Sequence, residues 1–186
     1  MATRIDVCNL ALGRIGQEAI ATLDEASNEA RMLNRFWDPD RKSVLRAHPW
    51  NFATETSELA EVLDPVPDFD YVYELPADCI RALTLTKDHV ESLFEIRGRT
   101  LVTDVPGAIL KYVKDVTDTA KFDDRFVEAL SYRLAMDIAL PITGNEKLQQ
   151  GMIQLYNGTM SMARATDAQE GRRKDMDHNS ILDSRK

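Results

Sequence analysis

The chain has 186 residues, 23 of them Lys or Arg and 31 Asp or Glu, for a formal charge of −8. Such a length buries enough surface to fold without a metal or disulfide staple. The acidic balance disfavours a protein that grips nucleic acid non-specifically or docks on anionic membrane, because both need clustered cations. The acid is concentrated: no Lys or Arg lies between Arg46 and Arg81, while Glu55, Glu58, Glu61, Asp64, Asp68, Asp70, Glu74 and Asp78 all do.

In chain order, Ile5, Cys8, Leu12 and Ile15 recur at helical spacing and predict a helix over 4–15. Thr3 caps its start and Gly16 follows its end. A second helical stripe, Ala26, Ala30, Leu33, Trp37 and Val44, starts near Asp24. Asp38-Pro39 predicts a kink or a break in it, and Ala47-His48-Pro49 its end. Trp50 and Phe52 then read as apolar anchors packed as core. Residues 54–68, with Pro65, Pro67 and much of the acid, read as a loop.

From Asp70 the period changes. Tyr71–Tyr73, Ile80–Leu85, Leu93–Ile96, Thr100–Val102 and Ile109–Val113 are short β-branched or aromatic runs, with Arg97-Gly98 a tight hairpin. Helix returns behind Asp123, a cap, with Phe122 placed to staple onto Val127. Its buried stripe is Val127, Leu130, Leu134 and Ile138, and Pro141 terminates it. Thr143-Gly144-Asn145-Glu146 reads as a capping box for a final helix to about Ala168, with Leu148, Met152, Leu155 and Met162 inward. Gly151 and Gly158, seven apart, permit close helix packing.

The last 18 residues carry five basic and four acidic groups, leaving −9 on the body. Their sparse apolar content cannot offset ordering entropy in isolation. Ile181-Leu182, flanked by Arg172-Arg173-Lys174 and Arg185-Lys186, suits a segment that orders on a partner. The expected fold is therefore α+β: a predominantly helical bundle with a small antiparallel β insertion and a flexible C-terminal tail. Its parts are helices in 1–53, an acidic loop and β-rich insertion in 54–118, a helical hairpin in 119–168, and an extended tail in 169–186.

Catalytic and cofactor signatures are missing from this sequence. It has no Gly-rich phosphate loop, no His-Glu-x-x-His and no Cys/His metal spacing. His48, His89 and His178 stand in three contexts, so no metal site and no cofactor is expected. Cys8 lies on a helical stripe as a small hydrophobe, and two cysteines make no disulfide framework. Cys79 paired with His48, or an acidic pair, leaves a small soluble hydrolase as the alternative function. No signal peptide or span of apolar residues is apparent, so a reducing, aqueous setting without membrane is expected.

Several segments resemble, in order, the tail tubular protein A family of tailed bacteriophages. They are Asp6-Val7-Cys8-Asn9-Leu10-Ala11-Leu12-Gly13-Arg14-Ile15-Gly16 and Val44-Leu45-Arg46-Ala47-His48-Pro49-Trp50-Asn51-Phe52-Ala53. They continue with Tyr73-Glu74-Leu75-Pro76-Ala77-Asp78-Cys79-Ile80-Arg81 and Phe122-Asp123-Asp124-Arg125-Phe126-Val127-Glu128-Ala129-Leu130, then Pro141-Ile142-Thr143-Gly144 and Ser180-Ile181-Leu182-Asp183-Ser184-Arg185. The resemblance spans nearly the whole chain. It implies a head-to-tail adaptor in the virion, assembled in the host cytoplasm as a ring, usually of twelve copies. The implied partners are further copies, the portal protein above, a tail or nozzle protein below, and genomic DNA passing through without specific binding. It also implies a C-terminal segment docked on the portal, here Arg172, Arg173, Lys174, Ile181, Leu182 and Arg185. Glu55, Glu58 and Glu61 become candidates for an acidic channel wall. Asp38-Pro39 departs from the uninterrupted long helix expected of the family. A non-viral oligomeric interaction module of the same fold class is the remaining alternative.

Overall fold

The computed structural model describes residues 2–62, 68–88 and 90–183, with side chains described up to residue 166. Among these residues the order is α1 (Arg4–Arg14), α2 (Asn28–Ala47), β1 (Thr54–Glu58), β2 (Ala60–Val62), β3 (Tyr71–Glu74), β4 (Cys79–Lys87), β5 (Val90–Ser92), β6 (Glu95–Arg97), β7 (Thr100–Thr103), β8 (Ile109–Lys114), α3 (Asp124–Thr143) and α4 (Glu146–Asp183). Helix takes 49% and strand 24%, so the predominantly helical bundle expected from sequence is corrected to a mixed α+β fold with two antiparallel sheets. The chain divides into two compact units, Met1–Val44 with Phe122–Lys186, and Leu45–Lys121.

In the helical unit, a capping box starts α1. Thr3 Oγ1 accepts from the Asp6 amide at 3.3 Å while Asp6 Oδ2 accepts from the Thr3 amide at 2.8 Å. Such a cap contributes about 1 kcal/mol. Val7, Cys8, Ala11 and Leu12 are buried, and α1 packs on α3. Arg14 fastens that contact, its guanidinium 3.4 Å from the centroid of Tyr132 and its Nε donating to Ser131 Oγ at 3.0 Å.

Four helical expectations are corrected. Helix α2 begins at Asn28 rather than near Asp24, because Ser27 Oγ accepts from the Ala30 amide and caps it. It then runs through Asp38-Pro39 without interruption, with Pro39 inside the helix. Pro141 likewise lies within α3, which ends three residues later on Gly144 in the left-handed conformation, φ 66°. Asn145, not Thr143, caps α4, accepting from the Leu148 amide at 3.1 Å.

Asp123 caps α3 as expected, accepting from the Phe126 amide at 2.6 Å, and Phe122 packs edge-on against Phe126. The inward stripe of α4 differs from its prediction. Met152, Met160 and Ala163 are buried and Leu148 is half-buried, whereas Leu155 and Met162 face water. The phase was misjudged because apolar residues occupy both faces of this helix. Gly151 and Gly158 support no close packing, since a Cβ at either meets nothing within 4 Å. The backbone of α4 continues to Asp183, where an extended segment was expected from residue 169.

The sheet unit holds two four-stranded sheets, ordered β1-β8-β4-β5 and β2-β3-β7-β6. Most of its strands fall where the β-branched runs placed them. Gly98, φ 65°, turns β6 into β7 as the Arg97-Gly98 pair predicted. Residues 54–68 are the main correction. Thr54–Glu58 pairs antiparallel with β8, and Ala60–Val62 with β3. Carboxylates outweighed threonines in the sequence reading, yet edge strands tolerate charge because one of their edges faces solvent. Tyr73, Leu75, Leu85, Leu101, Ala108, Leu110 and Tyr112 form the core between the sheets. Tyr71 and Tyr73 stack at 6.4 Å with rings 16° apart, and Tyr73 Oη accepts from the Gly107 amide while donating to the Val105 carbonyl.

Candidate functional site

The sheet unit carries a depression of about 400 Å³ lined by three arginines, Arg46, Arg81 and Arg99, with Leu75, Phe94 and Ile96 as its apolar part. Strand β4 brings Arg81, and the β6–β7 turn brings Arg99. Arg46 and Arg81 brace one another: Arg46 Nη1 donates to the Ile80 carbonyl at 2.5 Å and Arg81 Nη1 to the Arg46 carbonyl at 3.1 Å. Arg99 Nη2 donates to the Leu75 and Pro76 carbonyls at 3.2 and 2.9 Å. Main-chain carbonyls thus orient all three guanidiniums without neutralising them. Among the described residues, no carboxylate and no histidine lines the depression.

Cys79 sits in its wall. Burial pushes the Cys79 thiol above its ordinary range, with Arg99 only partly offsetting it. A thiol held protonated is a poor nucleophile. His48 is buried and lies edge-on to Trp50, with ring centroids 4.8 Å apart. Cys8 is inert for the same reason as Cys79, its thiol pushed up to about 12 by burial. Among the described residues, no group of three or more His, Cys, Asp or Glu is arranged to hold a metal.

The sequence-nominated acidic residues lie on the edge strands. Glu55 and Glu58 are in β1 and Glu61 is in β2, all three exposed. Glu55 is compensated, its Oε2 2.7 Å from Lys114 Nζ, which Asp78 also approaches at 3.5 Å. No ion pair joins Glu58 or Glu61 to a described residue. Trp50 is buried and Phe52 half-buried. Arg172, Arg173, Lys174, Ile181 and Leu182 lie along α4 with side chains outside the described residues; Arg185 and His89 lie outside them entirely, as does the side chain of His178.

The helical unit has a different charged feature that the sequence reading missed. Arg133 on α3 donates from Nε to Asp40 Oδ1 and from Nη2 to Asp137 Oδ2, both at 3.0 Å. Asp40 is 1% exposed, and its Oδ2 has no hydrogen-bond partner among the described residues. Burial, reinforced by the Asp137 carboxylate beside it, pushes the Asp40 carboxyl up to about 8. With Asp40 protonated, the trio carries no net charge. The 93 residues separating Asp40 from Arg133 gave no local signal.

No helix among the described residues is long and apolar enough to cross a membrane. No protein-family model matches the chain, and comparison with curated proteins gives no match.

Proposed function

We propose that the protein is a head-to-tail adaptor of a tailed bacteriophage. Copies close into a ring of twelve between the portal of the head and the tail, and leave a conduit for DNA ejection. The observation that carries this reading is the ordered sequence pattern set out above. On the structure five of its six segments include a joint: the Gly16 terminus of α1, the end of α2 with the Trp50 anchor, the entry to β4, and the two ends of α3. Joint residues are those whose backbone geometry a fold restricts most, which makes a match there more telling than one on a solvated face.

The chemistry agrees with assembly rather than turnover. The described residues hold a thiol whose ionisation burial disfavours, a histidine edge-on to tryptophan and a buried Asp40 carboxyl tied to Arg133, none of which forms a nucleophile with its base. The acidic chain suits a conduit wall that does not retain phosphate. Docking on the portal falls to residues 169–186, with Ile181 and Leu182 as the apolar anchor and the basic residues as charge partners. The tail or nozzle protein binds the opposite side of the ring, and the finished protein resides in the virion.

Deleting Gly171–Lys186 tests the docking step. The truncated chain is expected to keep its melting transition, losing only the helical signal of the deleted end of α4, while failing to co-sediment with portal rings. Undiminished co-sedimentation would overturn portal docking by this segment.

A further inference from the structure

We infer that the arginine-lined depression of the sheet unit is the receptor for the acidic edge 58–62 of a second copy of this chain, joining neighbouring copies head to tail. The inference rests on the ring reading and names the contact that propagates it.

Three features of the depression define its ligand. A guanidinium has five N–H donors, and Arg46, Arg81 and Arg99 spend only part of theirs on main-chain carbonyls. Among the described residues no acidic group lines the depression beside the remaining donors, which suits them to charge-assisted bonds with carboxylates. Phe94 and Ile96 beside them call for apolar groups next to those carboxylates. Ile96 is 44% exposed, and Leu93, at the approach to β6, is 93% exposed. The ligand is therefore an acidic peptide with interleaved apolar side chains.

The chain itself carries such a segment. Glu58-Leu59-Ala60-Glu61-Val62 alternates two carboxylates with apolar residues, and neither carboxylate has an ion-pair partner among the described residues. Its placement decides for a second copy. In the sheet ordered β2-β3-β7-β6, the acidic β2 is one edge and β6, in the wall of the depression, is the other. Donor and receptor on opposite edges make a heterologous contact, the kind that closes a ring or extends a filament. Net charge argues the same way, because copies carrying −8 each repel unless a local cationic patch meets a local anionic one. Glu58 and Glu61 then belong to the contact between copies rather than to a channel wall.

Disulfide trapping on the full chain tests this directly. A Glu61→Cys chain is mixed with an Ile96→Cys chain under mild oxidation, both carrying Cys79→Ala to remove the native thiol in the depression. A covalent dimer is expected in the mixture and in neither chain alone. Adding Arg81→Glu and Arg99→Glu to the Ile96→Cys chain should reduce dimer formation about tenfold or more, and adding Glu58→Arg to its partner should recover part of it. Arg81→Gln and Arg99→Gln replace the Glu variants if those fail to fold. Absence of the dimer, or a dimer indifferent to these charges, overturns the inference. Rings that assemble on the portal without the cross-link overturn the contact while keeping the adaptor reading. A cross-linked chain that ignores the portal keeps the contact and removes the adaptor reading. A short DNA duplex bound through Arg99, with no dimer formed, would assign the depression to nucleic acid and overturn the inference.

Discussion

The helical and sheet units use charge in opposite ways. In the helical unit, the buried Asp40 carboxyl and the half-buried Asp137 carboxylate share the half-buried Arg133 guanidinium, and burial pushes the Asp40 carboxyl up. In the sheet unit, Arg46, Arg81 and Arg99 are tied to carbonyls at the surface, while Glu58 and Glu61 are exposed on the edge strands β1 and β2. Buried, paired charge serves a fold, because a lost partner leaves an ion stranded in low dielectric. Exposed charge that is oriented yet unneutralised adds little to stability and is available to a partner. The contrast separates residues that hold this molecule together from residues that meet another one.

The largest effect should come from breaking the buried set. Arg133→Ala strands two acidic groups and is expected to cost about 3 kcal/mol, read as a lowered denaturant midpoint. Parent-like stability would show that the trio is dispensable.

Next is the pH dependence of the same unit. Asp40 has a folded value of about 8, raised above its ordinary 3.8. Its protonated form is therefore favoured by folding. That contribution is complete below pH ~4, declines as pH rises, and is gone above pH ~8. Asp40→Asn copies the neutral acid and should flatten the decline measured by urea unfolding across that window. An unchanged slope would place the titration elsewhere.

A smaller effect is expected at Arg14, whose stacking on Tyr132 and bond to Ser131 join α1 to α3. Arg14→Ala should cost about 1–2 kcal/mol by the same assay. Smallest of all is the exposed Lys114–Glu55 pair on the sheet unit. Lys114→Ala should leave the denaturant midpoint nearly unchanged, with added salt erasing even the small difference. A larger loss there would blur the distinction between the units.

Local signals were legible where a residue acts on its own neighbourhood. Thr3 with Asp6, Gly16, Asp123 and the Arg97-Gly98 turn all do what their types dictate at their positions. Errors arose where tertiary packing outweighed local preference. Pro39 and Pro141 sit inside helices, and Thr54–Glu58 is a strand because β8 lies alongside it to pair with. Both charged assemblies were illegible for one reason: their members are distant in sequence. Arg46 and Arg81 are 35 residues apart, and only the bonds from Arg81 to the Arg46 carbonyl and from Arg46 to the Ile80 carbonyl reveal the pairing. Their sole sequence trace is that they bracket the stretch without Lys or Arg.

The most direct test of the adaptor account is electron microscopy of the full chain mixed with the portal ring of the same phage. The account predicts a closed ring of copies on the portal, joined between the β2 edge of one sheet unit and the β6 edge of the next, around an open channel. Copies that remain dispersed, with the portal face bare, would contradict it.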